Sequence, residues 1–178
     1  MTMSRSDPLL SAARVLIVLM QIVAIFAIVM LGIGIGALLS IEQTQVATKI
    51  AQAGAPAYAL WLIIGSMLLI ITLLALAYRF FDELTGIVKS VSAGNPFEIE
   101  NANRLTKMGW LSIWGHVLAL ALVGISSWFA PYLEKAWRHS DYGFEVEPTG
   151  ILLTLVLFIL ARVFKHGAQM REELEGTV

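Results

Sequence analysis

Four long apolar stretches alternate with polar segments along this chain. They cover residues 15–39, 57–78, 108–130 and 149–164, and the first runs for 25 residues without a charge. About 20 predominantly apolar residues are enough for a helix to cross a bilayer, so the pattern predicts four transmembrane helices. The fourth stretch is the shortest and contains Arg162. An arginine near a helix end can extend its guanidinium to the lipid headgroups.

The composition excludes an ordinary soluble domain. Apolar residues make up 58% of the chain and charged residues only 14%, whereas a soluble domain is about half apolar and about a quarter charged. The net charge of −1 gives no bias towards nucleic acid, and we expect no direct nucleic-acid binding. The absence of cysteine excludes disulfides and cysteine-ligated metal sites. The sequence therefore predicts one all-α membrane domain over residues 1–178, a four-helix bundle.

The distribution of lysine and arginine predicts the orientation in the membrane. Nine of these residues lie in the two terminal regions and in the polar connector at 79–107, against three in the other two loops. Because lysine and arginine collect on the cytoplasmic side, we expect both termini, the connector and the tail at 165–178 to be cytoplasmic.

The connector at 79–107 is predicted to form a helical hairpin. Apolar residues recur at helical spacing on both sides of a break at Gly94-Asn95-Pro96. Proline lacks an amide hydrogen and disfavours helical geometry in the residue before it. The second and third helices would therefore extend beyond the membrane and pair there. The apolar stripes contain Phe80, Phe81, Leu84, Ile87, Phe97 and Leu105.

Three interpretations of these apolar stripes remain open. The stripes can pack only against each other. Part of them can instead stay open as a groove for a helix of a cytoplasmic partner, in which case these six residues form the docking surface. In the third interpretation, the arm with Phe80 and Phe81 lies flat on the lipid surface as an amphipathic helix.

Gly32 and Gly36 stand four residues apart in the first apolar stretch. Small residues at this spacing let another helix approach closely, which predicts helix packing at this point. The partner helix can belong to the same chain or to a second copy in a homo-oligomer. A dinucleotide-binding turn is rejected, because such a turn follows a strand and opens a helix.

Gln21, Thr72 and His116 are predicted to form a polar layer inside the membrane. At 1.5 Å per residue, each lies roughly 9–12 Å from the cytoplasmic edge of its span. The favoured interpretation is a hydrogen-bonded contact between helices. Proton sensing or contact with a solute is the alternative, because histidine titrates near neutral pH. His139 and His166 are predicted to lie on opposite sides of the membrane, so we predict no metal site and no cofactor.

No nucleophile elbow, phosphate loop, catalytic carboxylate pair or zinc-peptidase motif occurs in the sequence. We therefore expect that the protein is not an enzyme. The acidic residues of the second external loop match no dedicated cation-binding loop and are interpreted as a solvated face. They are Glu134, Asp141, Glu145 and Glu147.

The GNPF turn with the following NANRLTKMGW, and the C-terminal LFILARVFKHGAQMREELEGTV, resemble a bacterial protein family. It consists of small four-helix integral membrane proteins catalogued as a domain of unknown function. The resemblance runs from the first span to the end of the chain. It implies a location in the bacterial inner membrane and supplies no catalytic residues. It also implies a partner, because such proteins are often encoded beside a small phage-repressor-type helix-turn-helix regulator.

These observations together predict a non-enzymatic inner-membrane protein that binds and regulates a cytoplasmic partner, such as a helix-turn-helix transcription regulator. Two alternatives come from other classes. One is a small transporter, channel subunit or resistance factor that uses the polar layer of Gln21, Thr72 and His116. The other is a structural subunit of a membrane complex, held through Gly32 and Gly36.

Overall fold

The described part of the chain is built from long helices. The computed structural model describes residues 8–40, 48, 51–52, 54–56, 58–136 and 149–175. These residues form four long helices, α1 (Pro8–Ser40), α2 (Ala59–Ser92), α3 (Ile99–Ala136) and α4 (Thr149–Glu175). No strand occurs among the described residues. The predicted all-α class with four helices is confirmed.

All four helices are long and apolar enough to cross a membrane. Their outer surfaces expose large apolar side chains, for example Phe26 and Ile33 on α1 and Ile151 on α4. Soluble monomers rarely expose apolar surface this continuously, whereas lipid solvates such a surface and requires helices that satisfy their own backbone groups. The chain is therefore a multi-pass membrane protein.

The predicted helical hairpin is present between α2 and α3. The chain reverses at Gly94, whose φ of 83° lies in the left-handed region that glycine adopts without strain. The amide of Gly94 donates to the carbonyl of Val91, and the amide of Asn95 donates to the carbonyl of Ser90. This pair of bonds forms a Schellman motif at the end of α2. Pro96 then prevents the helix from continuing.

The described residues fall into two compact units. The first contains residues 8–24 of α1, residues 76–114 around the hairpin, and all of α4. The second contains residues 25–40 of α1, the first part of α2 and the second part of α3. The hairpin and α4 thus belong to the same unit.

The core of the first unit lies where α4 packs against the two arms of the hairpin. Along α4, buried or half-buried positions recur at 154, 157, 161, 164 and 168. This spacing of three and four residues keeps them on one face of the helix. The buried cluster and the apolar side chains packed against it are Leu105, Met108, Leu157 and Ala161 with Phe80, Leu84, Ile87 and Phe164.

The second unit contains an aromatic cluster near the start of α2 and the end of α3. The ring of Trp128 lies 5.6 Å from that of Tyr58 and 5.3 Å from that of Tyr132, measured between centroids. Trp128 also meets Phe129 edge to face at 5.0 Å. Tryptophan and tyrosine collect where membrane meets water, so the cluster is typical of a membrane interface.

Candidate functional site

Asn101 joins the two arms of the hairpin at its tip. Its side chain is almost completely buried, and its Nδ2 donates to the Oγ of Ser90 over 2.6 Å and to the carbonyl of Pro96 over 2.9 Å. The Ser90 hydroxyl in turn donates to the carbonyl of Ile87 over 2.8 Å. The start of α3 is therefore fixed to the end of α2 by side-chain bonds in addition to the turn.

A cluster of charges forms a second connection between the arms. One oxygen of the Glu83 carboxylate lies 3.5 Å from Nη1 of Arg104, and the other lies 3.4 Å from Nζ of Lys107. Arg104 also lies 3.8 Å from the carboxylate of Glu100 within α3. A Cβ added at Gly86 would collide with the Arg104 guanidinium. The absence of a side chain at Gly86 therefore makes room for the Arg104 side chain against α2. Partly exposed pairs of this kind contribute about 0–1 kcal/mol each, and together they define the register of the two arms.

Near the start of α4, small residues let this helix lie close to α3. The hydroxyls of Ser112 and Thr154 are 2.6 Å apart. The ring of Phe158 lies directly against Gly109, where a Cβ would come within 2.8 Å of the ring's Cζ. A glycine at position 109 thus determines how closely the two helices approach.

The C-terminal half of α4 continues along the hairpin to its tip. The rings of Phe97 and Phe164 are 5.4 Å apart, and Phe97 also lies against Gly167. Further along, Nη1 of Arg171 donates to Oδ1 of Asn95 over 3.3 Å. The tip is therefore built from three segments, namely the end of α2, the start of α3 and the last turns of α4.

Most of the predicted docking residues lie in the core of the first unit. Leu105 is buried, and Phe80, Leu84 and Ile87 pack against the same cluster, which includes residues of α4. Phe81 is half-buried with its ring edge-on to Phe80, and Phe97 is 45% exposed. The chain's own fourth helix occupies much of the predicted stripe, and none of the three sequence interpretations included this packing. Docking of a partner on these residues stays a prediction.

The three residues of the predicted polar layer lie on three different helices. Gln21 is half-buried on α1 and belongs to the first unit, while Thr72 on α2 and His116 on α3 belong to the second. Thr72 is exposed and donates its hydroxyl to the carbonyl of Leu68 in its own helix over 2.8 Å. His116 is half-buried. A shared layer stays a prediction.

Gly34, rather than Gly32 or Gly36, meets another helix within the described part of the chain. A Cβ at Gly34 would lie 3.1 Å from Cε of Met67, whereas one at Gly32 or Gly36 would have no described neighbour within 4 Å. Intrachain packing at Gly32 and Gly36 is therefore not seen among the described residues. Packing of these two glycines against a second copy stays a prediction.

Among the described residues, no group of three or more His, Asp or Glu side chains is arranged to hold a metal ion. The predicted solvated acidic face falls in the second external loop. Of its residues, Asp141, Glu145 and Glu147 lie outside the described residues, as does His139.

A family model described as a protein of unknown function, DUF2975, matches residues 3–178. The chain belongs to this family. The match covers all four helices and the hairpin, and it confirms the resemblance to a domain of unknown function. No curated protein and no solved structure matches the chain.

A cleft that the sequence pattern did not predict lies at the hairpin tip, between the start of α3 and the last turns of α4. The cleft has a volume of about 430 Å³. It combines exposed apolar side chains with carboxylates, and the signal that could have revealed it is the run Phe97-Glu98-Ile99-Glu100 directly after the turn. The apolar and charged side chains that line this tip cleft include Phe97, Glu98, Ile99, Glu100, Arg171 and Glu172.

Proposed function

We propose that this protein is a non-enzymatic membrane protein that binds a helix-turn-helix transcription regulator at the hairpin tip. The observation that carries the proposal is the exposure of Phe97 and Ile99, 45% and 50% respectively, in a cleft rimmed by carboxylates. Apolar anchors surrounded by charge are the usual composition of a protein-binding surface.

The charge of the tip cleft supports a basic partner. Among the described residues, Glu98, Glu100 and Glu172 line the cleft together with one cation, Arg171, which already donates to Asn95. Glu100 also lies 3.8 Å from Arg104, which does not line the cleft. The carboxylates therefore outnumber the cations, and a positively charged helix with an apolar face complements this surface.

A helix-turn-helix regulator presents such a surface, because it contacts DNA phosphates with lysine and arginine on its recognition face. Binding of that face to the tip cleft would compete with DNA, so the membrane protein would hold the regulator inactive. The regulator must meet the tip in the cytoplasm, which agrees with the side predicted from lysine and arginine counts.

The contacts within the tip support a preformed site. Asn101 fixes the start of α3, and Arg171 ties the end of α4 to the turn. A preformed surface loses less conformational entropy on binding than a flexible one. The proposal uses the exposed tip, because Phe80, Leu84 and Ile87 pack against the core cluster with α4.

The test is co-purification from membranes with the helix-turn-helix regulator that the family resemblance leads us to expect beside this protein's gene. Charge reversal in the double variant Glu98→Lys and Glu172→Lys is expected to reduce recovery of the regulator by about tenfold or more, because like charges then face each other. Asp82→Lys is the control for a charge reversal outside the cleft, since Asp82 is exposed on α2 and does not line the cleft. If both variants capture as much regulator as the unchanged protein, the tip is not the docking site.

A further inference from the structure

A second cleft of about 580 Å³ lies between α3 and α4 in the first unit, and Gln169 lines both this cleft and the tip cleft. From α4 it is lined by Arg162, Lys165 and His166, which follow one another at spacings of three and one residues and so share one side of the helix. From α3 it is lined by Asn103. All four of these side chains are exposed. We refer to this feature as the basic cleft.

The positive charge of the basic cleft is not balanced within the described part of the chain. No described aspartate or glutamate lines the cleft, and neither Arg162 nor Lys165 forms a salt bridge with a described carboxylate. Two cations of α3 differ from them in this respect, because Arg104 and Lys107 both pair with Glu83. The basic cleft thus retains a guanidinium and an ammonium for an external anion.

The donors in the basic cleft suit a phosphate. Arginine and lysine supply only hydrogen-bond donors, and the amide of Asn103 adds another. A guanidinium binds two phosphate oxygens at once, and a nearby ammonium adds a point charge. The hydroxyl of Thr106 also lines the cleft, but it already donates to the carbonyl of Ala102 in its own helix. It is therefore not counted among the donors to the anion.

The other end of the basic cleft is apolar and meets the lipid-facing surface. Phe158 lines the cleft and meets the exposed Trp110 edge to face, with centroids 6.0 Å apart. On α4, Ile159 and Leu155 precede Arg162 by three and seven residues, and both are more than half exposed. They continue the face that carries Arg162 into the apolar part of the helix. A ligand that fits this site has a negatively charged group beside Arg162 and Lys165. Its apolar part lies along the exposed face of α4.

We propose that the basic cleft binds the phosphate of an anionic membrane phospholipid, with an acyl chain lying along the exposed apolar face of α4. The phosphate is the recognised group, and a soluble phosphate is the other source of the same chemistry. The lipid is favoured because exposed Ile159 and Leu155 lie about one and two helical turns before Arg162 on the same side of α4. A lipid uses both the cations and this apolar surface, whereas a soluble anion uses only the cations. This inference does not depend on the proposed regulator.

The experiment is native mass spectrometry of the full chain released from detergent containing either phosphatidylglycerol or phosphatidylcholine. The unchanged protein is expected to retain phosphatidylglycerol at lower lipid concentrations than phosphatidylcholine. In the double variant Arg162→Gln and Lys165→Gln, retention of phosphatidylglycerol is expected to fall by about tenfold, while retention of phosphatidylcholine changes little.

The matched control is the double variant Arg79→Gln and Lys89→Gln, which removes the same charge from exposed positions of α2 outside the basic cleft. It should retain phosphatidylglycerol like the unchanged protein. An equal loss in both double variants would show unspecific charge attraction and overturn the proposal. A thermal unfolding scan in neutral detergent confirms that the variants fold.

A separate experiment distinguishes the two sources of phosphate. Inorganic phosphate at millimolar concentration is added to the protein in neutral detergent, and the unfolding temperature is compared with that in phosphatidylglycerol. Stabilisation by the lipid alone, absent from the Arg162→Gln and Lys165→Gln variant, supports the proposal. Equal stabilisation by inorganic phosphate would show that the cleft binds a soluble anion, and it would overturn the proposal of a lipid ligand.

Discussion

Asn101 and Ser90, eleven residues apart, meet across the hairpin through a hydrogen bond of 2.6 Å from Nδ2 to Oγ. The orientation of the Asn101 amide follows from its second contact, because the carbonyl of Pro96 can only accept a hydrogen bond and so must face the NH₂ group. One side chain therefore joins the end of α2, the turn and the start of α3.

Replacing Asn101 is expected to loosen this junction. Asn101→Ala removes both hydrogen bonds and leaves a space where a fully buried side chain stood, which should lower the free energy of unfolding by about 1–3 kcal/mol. Thermal unfolding in detergent measures the effect. Asn103→Ala is the control, because Asn103 lies on the same helix and is exposed. Equal shifts in both variants would contradict a special role for Asn101.

A methyl group at Gly109 is expected to separate α3 from α4. In Gly109→Ala the new Cβ would lie within 2.8 Å of the Phe158 ring, so the ring or the helix must shift. Gly115→Ala adds the same methyl group to α3 where no described residue of another helix lies within 4 Å, and it should stabilise the helix by up to about 1 kcal/mol. The two unfolding temperatures should therefore move in opposite directions. Identical shifts would mean that α4 does not approach α3 at this glycine.

Neutralising Glu83 is expected to have a small effect that depends on salt. Glu83→Gln removes the charge that Arg104 and Lys107 share, at a cost of about 0.5–1 kcal/mol at low ionic strength and less at high salt. The measurement is the unfolding temperature at two salt concentrations. Asp82→Asn removes the same charge from the preceding position, which forms no salt bridge with the described residues, and should change little. A loss that persists unchanged at high salt would argue against an ionic cause.

Single cysteines can test which side of the membrane the hairpin occupies, because the chain contains no native cysteine. Ser92 is exposed at the end of α2, and Thr48 is exposed between α1 and α2. An impermeant maleimide is expected to label Thr48→Cys in intact spheroplasts and Ser92→Cys only after the membrane is opened. The reverse pattern would place the hairpin outside the cell and remove the proposed contact with a regulator.

The amino-acid pattern was sufficient to predict the features that depend on neighbouring residues. Four apolar stretches of sufficient length predict four membrane helices, and the structure has four helices of that kind in its described residues. Apolar spacing on both sides of Gly94-Asn95-Pro96 predicts the hairpin, and Gly94 indeed occupies the turn with a positive φ. The length of an apolar stretch, the spacing of its apolar residues and the residues of a turn are local properties of the sequence. They can therefore be recognised without knowing which helices pack together.

Which helix faces pack together is evident only from the folded chain. Nothing in the spacing of Phe80 and Leu84 indicates that α4 will pack against them, and nothing near Asn101 identifies Ser90 as its partner. The same holds for Arg162, which the sequence presents as an arginine near a helix end and the fold places in a basic cleft beside Asn103. These outcomes depend on contacts between residues far apart in the chain. Such contacts are selected by steric fit at positions such as Gly109 and by the pairing of buried polar groups, which a hydropathy pattern does not encode.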